Sequence, residues 1–178
     1  IYVFLEIASF ASYALVAFGI GREELEASFK YLVLGGIGSS FILFGIALLY
    51  SITGTLNLAD LSRTLLDFNS SAMLSFVSAL FLTGFALKAA LVPFHAWLPD
   101  AHPSAPAPIS AMLSGLLIKA LGVYALARIF FNVIGFTPMI SSVLIILGVL
   151  SMVFGAVIAI GHWDFKRMLA YCGISQLG

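Results

Sequence analysis

The sequence contains few charged side chains. Only 9% of its 178 residues are Asp, Glu, Lys or Arg, whereas 62% are apolar, and its mean hydropathy is +1.14. Ordinary globular domains have roughly 25% charged and about 45–50% apolar residues. The polar surface is too small to cover a water-soluble fold, which excludes a soluble enzyme, a nucleic-acid-binding protein and a disordered linker. The composition is that of a membrane protein.

Residues that bind cofactors are also scarce. Cys172 is the only cysteine, so a disulfide framework is excluded. The histidines His95, His102 and His162 lack the spacing of metal ligands. The sequence has no glycine-rich phosphate loop, nucleophile elbow or haem-attachment motif. We therefore expect no cofactor, no metal and no redox centre in this chain.

Apolar runs long enough to cross a bilayer alternate with short polar segments. A crossing helix needs about 20 mostly apolar residues. Both ends of the sequence lie inside apolar runs, which indicates an internal piece of a longer protein. We predict an all-α, polytopic transmembrane bundle forming a single domain, with spans at residues 1–20, 31–50, 72–97, 109–131 and 139–161 and a truncated span over 169–178.

Three features between and within the spans carry structural information. Pro93 interrupts the third span and predicts a broken helix there. The segment 99–108 contains too many prolines for a helix and is predicted to be a loop. The segment 51–71 places leucines and Phe68 at helical spacing between charged residues, which predicts a short helix at the membrane surface.

Lysine and arginine counts predict the orientation. If the loops alternate between the two sides of the membrane, four basic residues share one side and two lie on the other: Arg22, Lys30, Lys166 and Arg167 against Arg63 and Arg128. Since basic residues accumulate in cytoplasmic loops, the first side is predicted to be cytoplasmic.

Three ionisable residues, Glu6, Lys88 and Lys119, lie well inside the predicted spans. Placing each of these charged side chains near the centre of a bilayer costs at least ~2.5–3.5 kcal/mol, so its presence calls for a structural or functional explanation. Lys119 lies about 15 Å from either surface, whereas a lysine stem reaches roughly 6 Å. Lys88 could still reach the surface if its helix is tilted, and Glu6 could be an acid near a helix end. These structural interpretations stay open beside a functional one.

Their surroundings favour a path for protons. Ser9 and Tyr13 follow Glu6 at i+3 and i+7 and share its helix face. A buried lysine needs a counter-charge or must lose its proton, so a lysine with a carboxylate partner can relay protons. Broken helices at membrane depth line cavities in ion-coupled transporters, which gives Pro93 a functional meaning. His95, two residues later, could pass protons on or simply pack.

The stretch from Lys88 to Lys119, KAALVPFHAWLPDAHPSAPAPISAMLSGLLIK, resembles the proton-conducting membrane transporter family. That family comprises the L, M and N type subunits of respiratory NADH–quinone oxidoreductase, the large subunits of multisubunit Na⁺/H⁺ antiporters and related subunits of membrane-bound hydrogenases. Residues 5–13 resemble the family helix that carries a membrane-embedded glutamate, and residues 164–178 resemble a charged loop and the helix start after it. The three matches occur in family order.

The resemblance implies a fold of about fourteen helices with two inverted five-helix repeats, each containing a broken helix. This chain would hold the fifth to ninth helices and the start of the tenth, with the break at Pro93. Glu6 would pair with Lys88, and Lys119 on the next helix would link this half-channel to a central hydrophilic axis. Gln176 departs from the pattern, because some members have a histidine there; a glutamine orients water but does not titrate.

The leading hypothesis is therefore a proton-translocating subunit of a larger complex, whose redox chemistry takes place elsewhere. The resemblance implies other membrane subunits, the bilayer and H⁺ as partners, and no nucleic acid. The expected location is a prokaryotic cytoplasmic membrane, with an organelle inner membrane as the alternative. Two other functions stay open: a subunit that exchanges Na⁺ for H⁺, and a structural subunit that transports nothing.

Overall fold

The structure is a computed structural model that describes residues 1–66 and 72–178, and within these ranges all regular structure is helical. Four helical stretches are long and apolar enough to cross a membrane, and Ala72–Lys88 is a shorter apolar helix. The all-α, multi-span prediction is confirmed for this part of the chain. The helices are α1 (Tyr2–Val16, extended by a 3-10 turn at Ala17–Gly19), α2 (Arg22–Thr53), α3 (Leu58–Leu66), α4 (Ala72–Lys88), α5 (Leu98–Ser104), α6 (Ala107–Ile134), α7 (Pro138–Ile160) and α8 (Phe165–Leu177).

Helix α2 begins at Arg22, well before the predicted start of its span at residue 31. Glu23 and Glu24 lie in its first turn, where acidic side chains interact favourably with the helix dipole. The hydropathy pattern detects only the apolar part of this helix, because its first turns are polar. The helix ends at Thr53 and is followed by Gly54, whose φ of +68° is easily adopted by glycine.

The prediction of a loop over residues 99–108 is wrong, because α5 and the start of α6 occupy this segment. Pro99 and Pro108 stand at the first positions of these helices, where the missing N–H has no helical partner. Pro103 lies inside α5. Lys166 Nζ donates to two carbonyl oxygens at the end of α5, at 3.0 and 2.9 Å, and so stabilises that end.

The third predicted span is broken, and helix α4 ends at Lys88. The chain then runs through turns until α5 begins, and Pro93 lies inside this non-helical segment, after a cis peptide bond. Ala90 adopts a φ of +54°, outside the helical region. The break therefore leaves Lys88 as the last residue of α4.

Helix α3 is the short helix predicted from its leucines. Leu61 and Leu65 are buried and pack with Phe130 near the end of α6, whereas Arg63 is exposed. Phe68, which the prediction placed on the same helix, lies outside the described residues. Helix α3 thus covers one end of the bundle.

The opposite end of the bundle holds the polar contacts between α2, α5 and α8. Lys30 Nζ lies 2.8 Å from Oδ2 of Asp100, and Lys166 bonds the end of α5. Arg167 lines the same polar groove as Lys30 and Asp100. The sequence predicts that these segments share one side of the membrane. The structure places them together at one end of the bundle.

Helices α2 and α4 approach closely where two glycines face each other. A Cβ atom on Gly84 would lie 2.8 Å from the carbonyl oxygen of Gly38 and 2.6 Å from Cγ1 of Ile42. A Cβ atom on Gly36 would have nothing within 4 Å. Small residues at such contacts let transmembrane helices pack closely.

We expect Gly84→Ala to lower the thermal unfolding midpoint of the full-length protein in detergent. The added methyl group must push α2 and α4 apart, which costs about 1–3 kcal/mol. Gly36→Ala is the matched control, and its midpoint should stay the same or rise because alanine favours helix. Equal midpoints for the two variants would contradict the close contact.

Candidate functional site

A buried ion pair joins the end of the broken helix to α1. Lys88 Nζ lies 3.0 Å from Oε1 of Glu6, and the two side chains are 4% and 18% exposed. The structure thus brings together two of the three charged residues that the sequence places inside the spans. The pairing satisfies the requirement that buried charges have partners.

Two serines complete the polar contacts of this pair. Lys88 Nζ donates a hydrogen bond of 2.9 Å to Ser9 Oγ, and Ser9 in turn donates to the carbonyl oxygen of Leu5. Ser39 Oγ on α2 donates to Oε1 of Glu6 at 2.7 Å. Ser9 was predicted to share the face of Glu6. Ser39 was missed, because nothing in the sequence distinguishes it from the adjacent Ser40.

An aromatic cluster lies beside the ion pair. Tyr13, which the sequence places on the face of Glu6, is buried and meets the ring of Tyr31 edge-on at 4.5 Å. Tyr31 stacks on Trp97 with ring centroids 4.1 Å apart. Ser12 Oγ donates to the hydroxyl of Tyr31 at 3.0 Å. These rings separate the ion pair from the polar end of the bundle.

A small cavity lies between these side chains and α6. Lys88, Ser9, Tyr13 and Tyr31 line one side, and Ile118 with its neighbours on α6 lines the other. Its volume of about 10 Å³ is close to the smallest that holds one water molecule. Lys88 therefore contacts a carboxylate through its ammonium group and also lines a cavity close to the size of one water molecule.

Side chains of neighbouring elements satisfy the backbone of the break. The N–H of Val92 donates to Ser151 Oγ on α7 at 2.9 Å, and Nε1 of Trp97 donates to the carbonyl oxygen of Leu87 at 3.0 Å. Irregular backbone at membrane depth is tolerated when its polar groups find such partners. Pro93 lies between Val92 and Trp97, the two residues of the break that make these contacts.

Three predicted residues lie apart from the ion pair. Lys119 is exposed on a π-helical part of α6, Leu113–Tyr124, and makes no ion pair with residues 1–66 or 72–178. Gln176 is exposed on α8. His95 packs against Tyr171 of α8, with ring centroids 6.4 Å apart, and its buried Nδ1 has no partner within the described ranges.

His102 lies in α5 at the polar end of the bundle. Its Nδ1 forms a short hydrogen bond with Ser110 Oγ. Burial, and to a smaller extent the charge of Lys166, lower the pKa of His102 below its ordinary value of 6.5. This imidazole is therefore neutral at pH 7 and acts as a hydrogen-bonding group. In the described part of the chain, no group of three His, Cys, Asp or Glu residues could hold a metal ion.

The fold and the site define a polytopic helical membrane protein in which a broken helix presents a lysine to a buried glutamate. The family model described as NADH:quinone oxidoreductase/Mrp antiporter, TM matches residues 1–178, and the chain belongs to this family. The resemblance seen in the sequence is confirmed.

Relatives come from two kinds of complex. The N-type subunit of the NADH-quinone oxidoreductase of Desulforudis audaxviator is 40% identical over 181 residues, which cover 100% of this chain and 36% of that protein. The D-type subunit of the Na⁺/H⁺ antiporter of Alkalihalophilus pseudofirmus is 40% identical over 179 residues, with the same shares covered. This chain therefore spans 36% of the length of either relative.

A solved structure shows the same fold. A chain of the membrane-bound sulfane sulfur reductase, an archaeal respiratory membrane complex, superposes with a TM-score of 0.88 at 41% identity. The match covers 99% of this chain and 36% of that chain. The implied total of about fourteen helices stays a prediction.

Proposed function

We propose that this chain is one transmembrane domain of a subunit that moves protons across a prokaryotic cytoplasmic membrane. The proposed path uses Glu6, Lys88 and Lys119, and the driving reaction takes place in other subunits of the same complex. The observation that carries the proposal is the buried ion pair of Glu6 and Lys88 at the end of a broken helix, with 3.0 Å between Nζ and Oε1.

Stability does not account for such a pair. Replacing a buried ion pair by well-packed apolar residues is often neutral or stabilising, because desolvation of the charges opposes their attraction. The pair also stands where the helix ends and a cavity begins, so Lys88 borders a site for water. A lysine with a carboxylate on one side and water on the other can exchange its proton.

The next ionisable group along the proposed path is Lys119. Its neighbour Ile118 lines the far side of the cavity, so α6 forms the wall between Lys88 and Lys119. In this proposal, water passes the proton across α6 to Lys119, and the proton then continues to groups outside this chain. Protonation of one site disfavours protonation of the next, which lets charge changes propagate.

The test uses the full-length protein in its complex, in sealed inverted vesicles. Lys88→Ala and Lys119→Ala are expected to lose proton uptake, measured with a dye that reports the pH gradient beside the rate of the driving reaction. Lys30→Ala, which removes a lysine from the exposed Asp100 contact, should retain proton uptake. Wild-type uptake in both Lys88→Ala and Lys119→Ala would overturn the proposal and favour a structural subunit.

A second candidate is Na⁺/H⁺ exchange. It is favoured by the Alkalihalophilus antiporter protein, whose 40% identity equals that of the oxidoreductase subunit. An imposed sodium gradient should then drive proton movement through the full-length complex without an electron donor. If only electron transfer drives proton uptake, whatever the sodium concentration, exchange is excluded.

A further inference from the structure

We infer that Ser39 is a positioning residue for Glu6, and that its hydroxyl serves the carboxyl group in both of its protonation states. This inference rests on the proposed function, in which Glu6 must hold and release the ammonium group of Lys88. Ser39 lies on α2, whereas Glu6 and Lys88 lie on α1 and α4, so the contact joins three helices at one point.

One carboxylate oxygen takes both contacts. Oε1 of Glu6 accepts from Ser39 Oγ at 2.7 Å and from Lys88 Nζ at 3.0 Å. Hydrogen bonds to an ionised group are shorter and stronger than neutral ones. Because Ser39 is buried, no bulk water replaces its hydroxyl. Ser39 therefore holds in place the carboxylate oxygen, Oε1 of Glu6, that accepts from Lys88.

The hydroxyl of Ser39 has a second acceptor within reach. Its Oγ also lies 3.0 Å from the carbonyl oxygen of Gly35, one helical turn earlier. A hydroxyl carries one proton and two lone pairs, so it donates to only one acceptor at a time. With ionised Glu6 it donates to the carboxylate. With protonated Glu6 it can donate to Gly35 and accept from the carboxyl group, and both states are hydrogen-bonded without movement of a helix.

The remaining groups around Glu6 are consistent with this role. The charged partner is Lys88, and the titratable side chains that interact with Glu6 from its own helix are Tyr2 and Tyr13. The Tyr2 hydroxyl donates to the backbone carbonyl of Ser39 at 3.2 Å, which is a second hydrogen bond between α1 and α2 at this position. A side chain at position 39 therefore has a fixed place beside Glu6.

The adjacent serine provides a matched control. Ser40 Oγ donates to the carbonyl oxygen of Gly36 at 2.9 Å, and the carbonyl oxygen of Gly35 lies within the same reach of Ser39 Oγ. Ser40 is exposed and makes no contact with Glu6. Both residues are serines on α2 with a backbone carbonyl oxygen one turn earlier as an acceptor. Only Ser39 also contacts the carboxylate of Glu6.

The test measures proton uptake against pH in sealed inverted vesicles that contain the full-length complex. In Ser39→Ala both protonation states of Glu6 lose a hydrogen bond, but the ionised carboxylate loses the stronger one. On the acid side of the profile, proton uptake should therefore be lost at a pH about one unit higher than in the wild type. Ser40→Ala should follow the wild-type profile. Ser39→Thr keeps the hydroxyl and should lie closer to wild type than to Ser39→Ala. Immunoblots of the membranes establish equal amounts of complex.

The outcomes separate this inference from the proposed function. If Lys88→Ala loses uptake while Ser39→Ala and Ser40→Ala have the same profile, the role of Ser39 is refuted and the proposed function stands. A Ser39→Thr profile shifted as far as that of Ser39→Ala also refutes it, because the hydroxyl would then not be the cause. If Lys88→Ala retains uptake, the proposed function itself is refuted.

Discussion

Replacing Lys88 by methionine while Glu6 is retained should destabilise the protein more than replacing both residues. The single change leaves a carboxylate that is 18% exposed without its charged partner, and breaking a buried pair in this way costs about 3–5 kcal/mol. The double variant Glu6→Gln/Lys88→Met removes both charges and should recover most of this loss. Thermal unfolding midpoints of the full-length protein in detergent measure the difference.

The surface pair of Lys30 and Asp100 is the control for this cycle. Its two side chains are 45% and 33% exposed, with 2.8 Å between Nζ and Oδ2. The corresponding single and double changes, Lys30→Met and Asp100→Asn, should show a coupling of at most about 1 kcal/mol. Additive effects at Glu6 and Lys88 would mean that the pair is not buried as the structure has it. Proton uptake should be lost in every variant that lacks Lys88, so recovered stability without recovered uptake separates the two roles.

Trp97→Ala is expected to have a comparably large effect on stability. This indole is buried, stacks on Tyr31 and donates to the carbonyl oxygen of Leu87. Truncation of a buried aromatic side chain to alanine costs about 3–5 kcal/mol, because it leaves a cavity as well as lost contacts. Thermal unfolding midpoints in detergent again report the loss.

One further variant separates the contribution of the Trp97 ring to stability from that of its hydrogen bond, and a second serves as the control. Trp97→Phe keeps an aromatic ring and should lose less stability than Trp97→Ala, since Leu87 O still accepts from the N–H of Ala90 at 3.2 Å. Trp163 is fully exposed, so Trp163→Ala should change the free energy of unfolding by no more than about 0.5 kcal/mol. A midpoint for Trp97→Ala equal to that of Trp163→Ala would show that Trp97 is not packed at the break.

The parts of the site that the sequence predicts are those that are costly in a membrane. Glu6, Lys88 and Lys119 stand out because a charge inside a bilayer needs a reason, and Pro93 because a break leaves backbone groups to be paired. The ends of helices are harder to predict. The polar start of α2 has no hydropathy signal, and the prolines around α5 stand mostly where a helix has no N–H to donate.

Ser39 shows a different limit of sequence reasoning. A serine in an apolar helix usually bonds the carbonyl one turn earlier, and Ser40 does this beside it. Only the packing of α2 against α1 distinguishes the two, because it places one hydroxyl and not the other next to Glu6. Likewise, the exposure of Lys119 depends on which face of α6 meets the cavity.

The bond between Val92 and Ser151 has a mechanical consequence. Ser151 is completely buried, so no solvent molecule can replace its hydroxyl as the acceptor for the N–H of Val92. Its own proton is donated to Leu147 on α7, which holds the oxygen in one orientation. The break is therefore anchored to α7 through Val92. A sliding displacement of α7 would move Val92, which lies four residues after Lys88, the last residue of α4.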